Sequence, residues 1–236
     1  DANPLGSAAG FGVNLNLDRE FCTQQLGFGR TQQIATYAQL SRGKYEIAAL
    51  DALLSALGDL RRLAWDISLF TSSEFGFVTL PAEYLTGSSL MPNKRNPDLI
   101  ELLRASYAVV SAARSELEQL LSLPSGYHRD LQFTKAPVMR GFSHGLAALA
   151  LLPDLLASLH WNESAINDAL EPSMHATDLA LELSMQGIPF REAYKQAADP
   201  ELWENREATD SLNVRVSEGS GVNLGLNKLK LRLADL

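Results

Sequence analysis

Apolar residues recur at intervals of three and four along much of the chain. This is the spacing of helices buried on one or more faces, not the alternation of strands. The longest such run covers residues 31–71, through Ile34, Tyr37, Leu40, Tyr45, Ile47, Leu50, Leu53, Leu54, Leu57, Leu60, Leu63, Ile67 and Phe70. Gly43 and Gly58 lie inside it. Each weakens a helix relative to alanine, and Gly43 marks the place for a kink or a break. A second run has a defined start, with Asn96 suited to the N-cap, Pro97 to the first helical position, and Asp98 and Glu101 to the positive end of the dipole. It continues through Leu99, Leu102, Leu103, Tyr107, Val110, Leu117 and Leu121 until Pro124 stops it. At about 1.5 Å per residue, a helix of about 25 residues is roughly 38 Å long. A third run covers 136–160, with Pro153 as its expected kink.

The connections differ in character. Residues 3–16 read as loop, and a short helix starts at Asp18-Arg19-Glu20 and ends near Gly27-Phe28-Gly29. Residues 72–96 form a long connection carrying Gly76, Pro81, Gly87 and Pro92, of a length that tends to be functional. After Trp161, shorter helical stretches at 165–170, 176–185 and 190–197 are punctuated by Pro172, Gly187-Ile188-Pro189 and Pro200. Residues 217–225 read as loop and 226–236 as a last helical turn or a strand. Clear strand signals are otherwise absent. The expected fold class is all-α: a long-helix bundle in a domain of residues 1–168 and a small C-terminal helical domain of 169–236. Helices apolar around so much of their circumference also suit assembly into a homo-oligomer.

Composition narrows the function classes. With 236 residues and 46% hydrophobic content, the chain can build a sizeable core. Its net charge of -8 argues against nucleic acid and against an acidic membrane surface, so an anionic substrate needs a local cluster of cations. The single cysteine, Cys22, excludes an intrachain disulfide, which fits a reducing, cytoplasmic location, and reads as a small apolar core residue. No signal peptide and no bilayer-spanning apolar run are expected. The chain opens on Asp1 and passes directly into a Gly-rich segment, which reads as a piece of a longer polypeptide. His128, His144, His160 and His175 are spaced too widely for a metal site and read as structural or surface residues; no cofactor or metal is expected.

One stretch carries chemistry. In Gly87-Ser88-Ser89-Leu90-Met91-Pro92-Asn93-Lys94-Arg95-Asn96-Pro97, hydroxyls, two cations and an amide stand immediately before a helix. The helix dipole disfavours cations at that end, so Lys94 and Arg95 there point to an anion bound jointly with the helix terminus. A serine acts as a base only where its alkoxide is stabilised, and neighbouring cations and helix-end N–H groups supply that. Taken alone, a Gly-Ser-Ser tripeptide is ordinary surface-loop chemistry, Glu101 ordinary first-turn chemistry, and Tyr127 and Gln132 a packing residue and a surface amide.

The whole run resembles the GSSxMPxKxNP signature of the aspartase/fumarase superfamily, whose members release fumarate from a succinyl group. Its neighbours resemble the argininosuccinate lyase family: residues 123–135 are similar to LPSTYNKDLQEDK, and Asn3-Pro4-Leu5-Gly6-Ser7-Ala8-Ala9-Gly10 with Asp18-Arg19-Glu20 to PLGSGA…DRE. Ala176-Thr177-Asp178-Leu179-Ala180 and Gly187-Ile188-Pro189-Phe190-Arg191-Glu192-Ala193 resemble ATDLA and GxPFRxAH. The resemblance spans essentially the whole chain. It implies reversible elimination of argininosuccinate to arginine and fumarate by a carbon–nitrogen lyase of arginine biosynthesis. It implies that Ser88 removes the Cβ proton, that Lys94 and Asn96 stabilise the aci-carboxylate, and that Glu101 supports the acid side of the site. Tyr127, Gln132 and Lys135, with Ser89 and Arg42, would bind substrate, largely its arginine portion. The match at Arg42 is weaker, since SRD reads Ser41-Arg42-Gly43 here, and Arg129, Phe133 and Thr134 depart from the family's pattern near the substrate's distal end. A small-molecule substrate, a homotetramer with sites shared among three subunits, and no nucleic-acid or membrane partner are implied. The family's threonine- and histidine-containing motif has no match in this chain, so the chain by itself is expected to lack turnover. Two alternatives are another fumarate-releasing lyase, such as adenylosuccinate lyase, and a non-catalytic crystallin-like scaffold.

Overall fold

The computed structural model describes residues 1–121, 128–203 and 205–235. It divides into two compact units, Asp1–Trp161 and Asn162–Leu236. The helices in chain order are α1 (Arg19–Gln25), α2 (Tyr37–Leu40), α3 (Lys44–Phe70), α4 (Asp98–Leu121), α5 (Lys135–Ala150), α6 (Leu152–Ser158), α7 (Glu163–Asp168), α8 (Ala176–Met185), α9 (Phe190–Gln196), α10 (Ala208–Val214) and α11 (Leu226–Ala234). The fold is helical, as the periodicity predicts. The one sheet among the described residues is a two-residue antiparallel pair, β1 (Val78–Thr79) with β2 (His160–Trp161), in which Val78 faces Trp161. The sequence gives no sign of it, because two residues are too few for an alternation.

The first unit is built on a seam. On α3 the buried residues Leu50, Leu53, Leu57, Leu60, Ala64 and Ile67 alternate at three and four, the spacing of a coiled-coil stripe. They pack against Ile100, Leu103, Val110, Ala113 and Leu117 of the antiparallel α4. Ion pairs stitch the seam's flanks: Arg114 Nε lies 3.0 Å from Asp51 Oδ1, Arg114 also pairs with Glu118, and Arg140 of α5 pairs with Glu116. The fully buried residues of α5 are small, Pro137, Gly141, Gly145 and Ala148, with half-buried Val138, Phe142 and Leu149 packed against the core beside them. Gly145 is required by proximity, because a Cβ there would lie 2.6 Å from Leu53 Cδ2. Residues Arg129–Ser158 together are long and apolar enough, by length and composition alone, to cross a membrane, contrary to the sequence expectation.

The expected 31–71 helix is two. α2 stops at Leu40, and Gly43, at φ +83°, turns the chain before α3. Glu46 Oε2 accepts the Gly43 N–H at 2.8 Å, and a Cβ on Gly43 would lie 2.3 Å from Leu121 Cδ2. Apolar periodicity continues across the break, so it alone does not locate it. The 136–160 run likewise divides at Leu151, next to Pro153.

The N-terminal segment is held by a polar core. Asn3, fully buried, donates from Nδ2 to Thr23 Oγ1 at 3.0 Å; Thr23 and Thr31 hydroxyls lie 2.7 Å apart; Thr31 Oγ1 donates to Glu20 Oε2 at 2.7 Å. Arg19 donates to the carbonyls of Leu5 (2.9 Å) and Gln32 (2.7 Å). These buried polar groups find partners, and the two N-terminal motifs are one structural unit. Cys22 of α1, expected in the core, is instead exposed, because α1 turns its polar Thr23 inward to this network.

The second unit has its own small core of Leu179, Ala180 and Ala197, with Leu183 and Trp203 against it. Trp203 Nε1 donates to Ala197 O at 3.0 Å. Buried Asp178 accepts from Ser211 Oγ at 2.5 Å and pairs with Arg215 at 3.1 Å. A bidentate Arg206–Glu182 pair, at 2.8 and 2.7 Å, holds the Glu182 carboxyl below its ordinary range, chiefly through that side-chain hydrogen bond. α7, capped by Asn162 Oδ1 accepting from the Ala165 N–H, falls in this unit, whereas the sequence boundary at 168/169 placed it with the bundle. α10 is not evident from periodicity; Asp210 accepts the Glu207 N–H at its start.

Candidate active site

The residues singled out by sequence fall into two groups, both in the first unit. The first lies at the N-terminal end of α4. Residues 87–95 leave the bundle and return through a neck, where Thr86 and Asn96 form an antiparallel bridge. The Thr86 N–H donates to Asn96 O at 3.0 Å and the Asn96 N–H to Thr86 O at 2.8 Å. The Thr86 hydroxyl donates to Asp98 Oδ2. α4 then starts one residue later than expected: the Glu101 N–H bonds to the Pro97 carbonyl at 3.1 Å, which makes Pro97 the capping residue. Asn96 is not the cap because its backbone is committed to the neck.

Inside the loop, Ser88 is half-buried, and its Oγ accepts two backbone N–H groups, from Leu90 and from Met91, each at 3.2 Å. Donors aimed at a hydroxyl oxygen favour negative charge on it, which is what a serine base needs. A turn closed by Lys94 N–H to Met91 O at 3.0 Å follows. Ser89, Lys94 and Arg95 are exposed, and neither cation forms an ion pair among the described residues. Free cations beside a hydroxyl with donors on its oxygen can hold an anion and accept a proton.

Glu101 is exposed on the first turn of α4. It lines an open cleft of about 1050 Å³ between α3 and α4, shared with Arg61, Arg62, Trp65, Asp66, Arg104 and Tyr107. Two guanidiniums stack there, Arg61 over Tyr107 at 5.4 Å and Arg104 over Trp65 at 5.1 Å. Residues 87–96 do not line that cleft.

The second group lies at the other end of α4. Residues Arg129–Thr134 form a 3-10 turn leading into α5. Lys135 Nζ donates to Gln132 Oε1 at 3.0 Å, and both side chains are exposed. Arg42 reaches the same turn, with Nη2 3.4 Å from Leu131 O. Tyr127 lies outside the described residues. The helix between the groups has 24 residues, which at about 1.5 Å each is about 36 Å. The structure thus joins Ser88, Lys94 and Asn96 at one end and Arg42, Gln132 and Lys135 at the other, and does not bring the two sets together. Sequence reasoning missed Thr86; its only signal is a hydroxyl residue directly before the glycine of the loop. Among the described residues, no group of three or more His, Cys, Asp or Glu is arranged to hold a metal.

Comparison with known proteins gives a family match, described as Lyase, over residues 1–111. The chain is 61% identical over 234 residues to an argininosuccinate lyase of Stenotrophomonas maltophilia (strain R551-3), covering 98% of this chain and 54% of the relative. It is 60% identical over 234 residues, with the same coverage, to that of Xanthomonas oryzae pv. oryzae (strain PXO99A). The chain therefore spans about half the length of the curated relatives it matches. Among solved structures, a class II fumarase from Schistosoma mansoni superposes with TM-score 0.67 at 19% identity, over 89% of this chain and 49% of that one. An EDDS lyase in complex with formate superposes with TM-score 0.66 at 24% identity, over 83% and 39%. These similarities establish the fold.

Proposed function

We propose, from the 60–61% identity to argininosuccinate lyases, that this chain is part of a member of that family and that the protein carrying it converts argininosuccinate reversibly to arginine and fumarate. Ser88 takes the proton from the succinyl Cβ. Lys94 and Asn96 stabilise the dianionic aci-carboxylate, and Glu101 serves the acid side. The electron pair left on Cβ forms the double bond of fumarate as the C–N bond breaks, and the departing guanidinium nitrogen receives a proton from a group outside this chain. Arg42, Tyr127, Gln132 and Lys135 hold the arginine portion, and Ser89 assists binding at the loop.

The observation that carries this reading is the pair of backbone N–H groups on Ser88 Oγ, inside a loop that also presents Lys94. The distance of about 36 Å along α4 adds a requirement: one copy cannot close a site from its own two ends. A homo-oligomer, as a tetramer with ends of different copies meeting, satisfies it, and exposed apolar residues such as Met139, Leu146 and Leu156 suit such contacts. A reducing, cytoplasmic setting fits the single cysteine.

The test is Ser88→Ala in the complete enzyme. General-base catalysis is typically worth about a hundredfold or more, so kcat for fumarate release should fall at least that far. Turnover within about tenfold of the parent would remove Ser88 as the base. Offering adenylosuccinate alongside argininosuccinate separates the substrate assignment from the assignment of the base.

A further inference from the structure

The hydrogen bonds of residues 87–95 close within the loop itself: Leu90 and Met91 to Ser88 Oγ, and Lys94 to the Met91 carbonyl. Among the described residues, hydrogen bonding therefore ties the loop to the bundle only through its neck. There the backbone bridge of Thr86 and Asn96 fixes the two strands of the neck to each other, but not to the helix. Asn96 runs through Pro97 into α4, so the strand left to be tied to the helix is that of Thr86, and the side-chain bond that ties it is the Thr86 hydroxyl on Asp98 Oδ2, at the first residue of α4. It is a charge-assisted O–H···O⁻ bond, roughly twice as strong as a neutral one.

Resting on the reading of Ser88 and Lys94 given above, the geometry points to Thr86 and Asp98 as positioning residues, a side-chain latch that sets the orientation of the serine loop on α4. That reading gives neither a contact with substrate. Neither lies in the GSSxMPxKxNP run, which begins one residue after Thr86 and ends one residue before Asp98. The latch acts because a proton transfer tolerates little displacement: a misplacement of about 1 Å can cost on the order of a hundredfold in rate. Asp98 also suits the dipole of the first turn, so its removal alone would mix two effects. Thr86 is exposed and precedes the helix, so its hydroxyl can be removed without altering the helix start.

The experiment compares Thr86→Val and Thr86→Ser in the complete enzyme, by steady-state kinetics and by amide hydrogen exchange. Thr86→Val should lower kcat about tenfold to a hundredfold and speed exchange of the 87–95 amides, while the α4 amides exchange as in the parent. Thr86→Ser, which keeps the hydroxyl, should restore both. Asp98→Ala should reproduce the loop exchange, and combining it with Thr86→Val should add nothing further. Parent-like kcat and loop exchange in Thr86→Val would overturn the proposal, as would equal impairment of Thr86→Ser or additive effects of the two substitutions. If the parent releases no fumarate from argininosuccinate, the functional reading fails while the exchange comparison still decides the latch.

Discussion

Ser88 illustrates how much a single oxygen's surroundings decide. An isolated hydroxyl is a poor base; two N–H donors at 3.2 Å and a lysine on the same loop favour its charged form. Ala8 shows the opposite situation, a residue at odds with its backbone. Its φ is +47° and that of Ala9 is +57°, in the left-handed region where a Cβ crowds the following carbonyl. The penalty is about 1–2 kcal/mol for an L-residue, against roughly 0.5–1 kcal/mol of extra entropy lost by glycine. Ala8→Gly should therefore stabilise the protein by about 0.5–1 kcal/mol, measured by urea unfolding. A neutral or destabilising result would mean that neighbouring contacts of the methyl outweigh the strain.

At the scale of elements, the core stripe of α3 outweighs the ion pairs beside it. Leu57 is 1% exposed, and Leu57→Ala should cost about 2–5 kcal/mol. Glu116→Ala, which removes the pairing with Arg140 at 44% exposure, should cost less than about 1 kcal/mol. Equal losses on urea unfolding would contradict the stripe as the main source of bundle stability. This stripe was legible in the sequence because its spacing is regular from Leu50 to Ile67, about five turns. The break at Gly43 was legible as a possibility only. What fixes it is a positive φ, the Glu46 carboxylate and the Leu121 side chain, and the last of these comes from far along the chain. The start of α4 was misread by one residue, because the capping preference of Asn96 gives way to its bridge with Thr86, a pairing ten residues apart. The β1–β2 pair was invisible for the same reason: its partners are eighty-odd residues apart and too short to pattern.

At the scale of the whole molecule, the candidate site was legible as a set of residues but not as a place. The 87–97 run and the 123–135 segment are separated by one helix in sequence, and the helix's length sets them about 36 Å apart in space. Sequence motifs suggest the candidate residues; only the antiparallel course of α3, α4 and α5 shows that Arg42 joins Gln132 and Lys135 rather than Ser88. The central claim is that a working site takes its two ends from different copies. Complete enzymes carrying Ser88→Ala and Lys135→Ala, each deficient alone, should be dissociated together, reassociated and assayed for fumarate release. If sites combine ends of different copies, random mixing leaves about a quarter of them with both native residues, and activity should return towards that fraction of the parent. Hybrid assemblies verified by mass that stay as inactive as the separate variants would contradict the account.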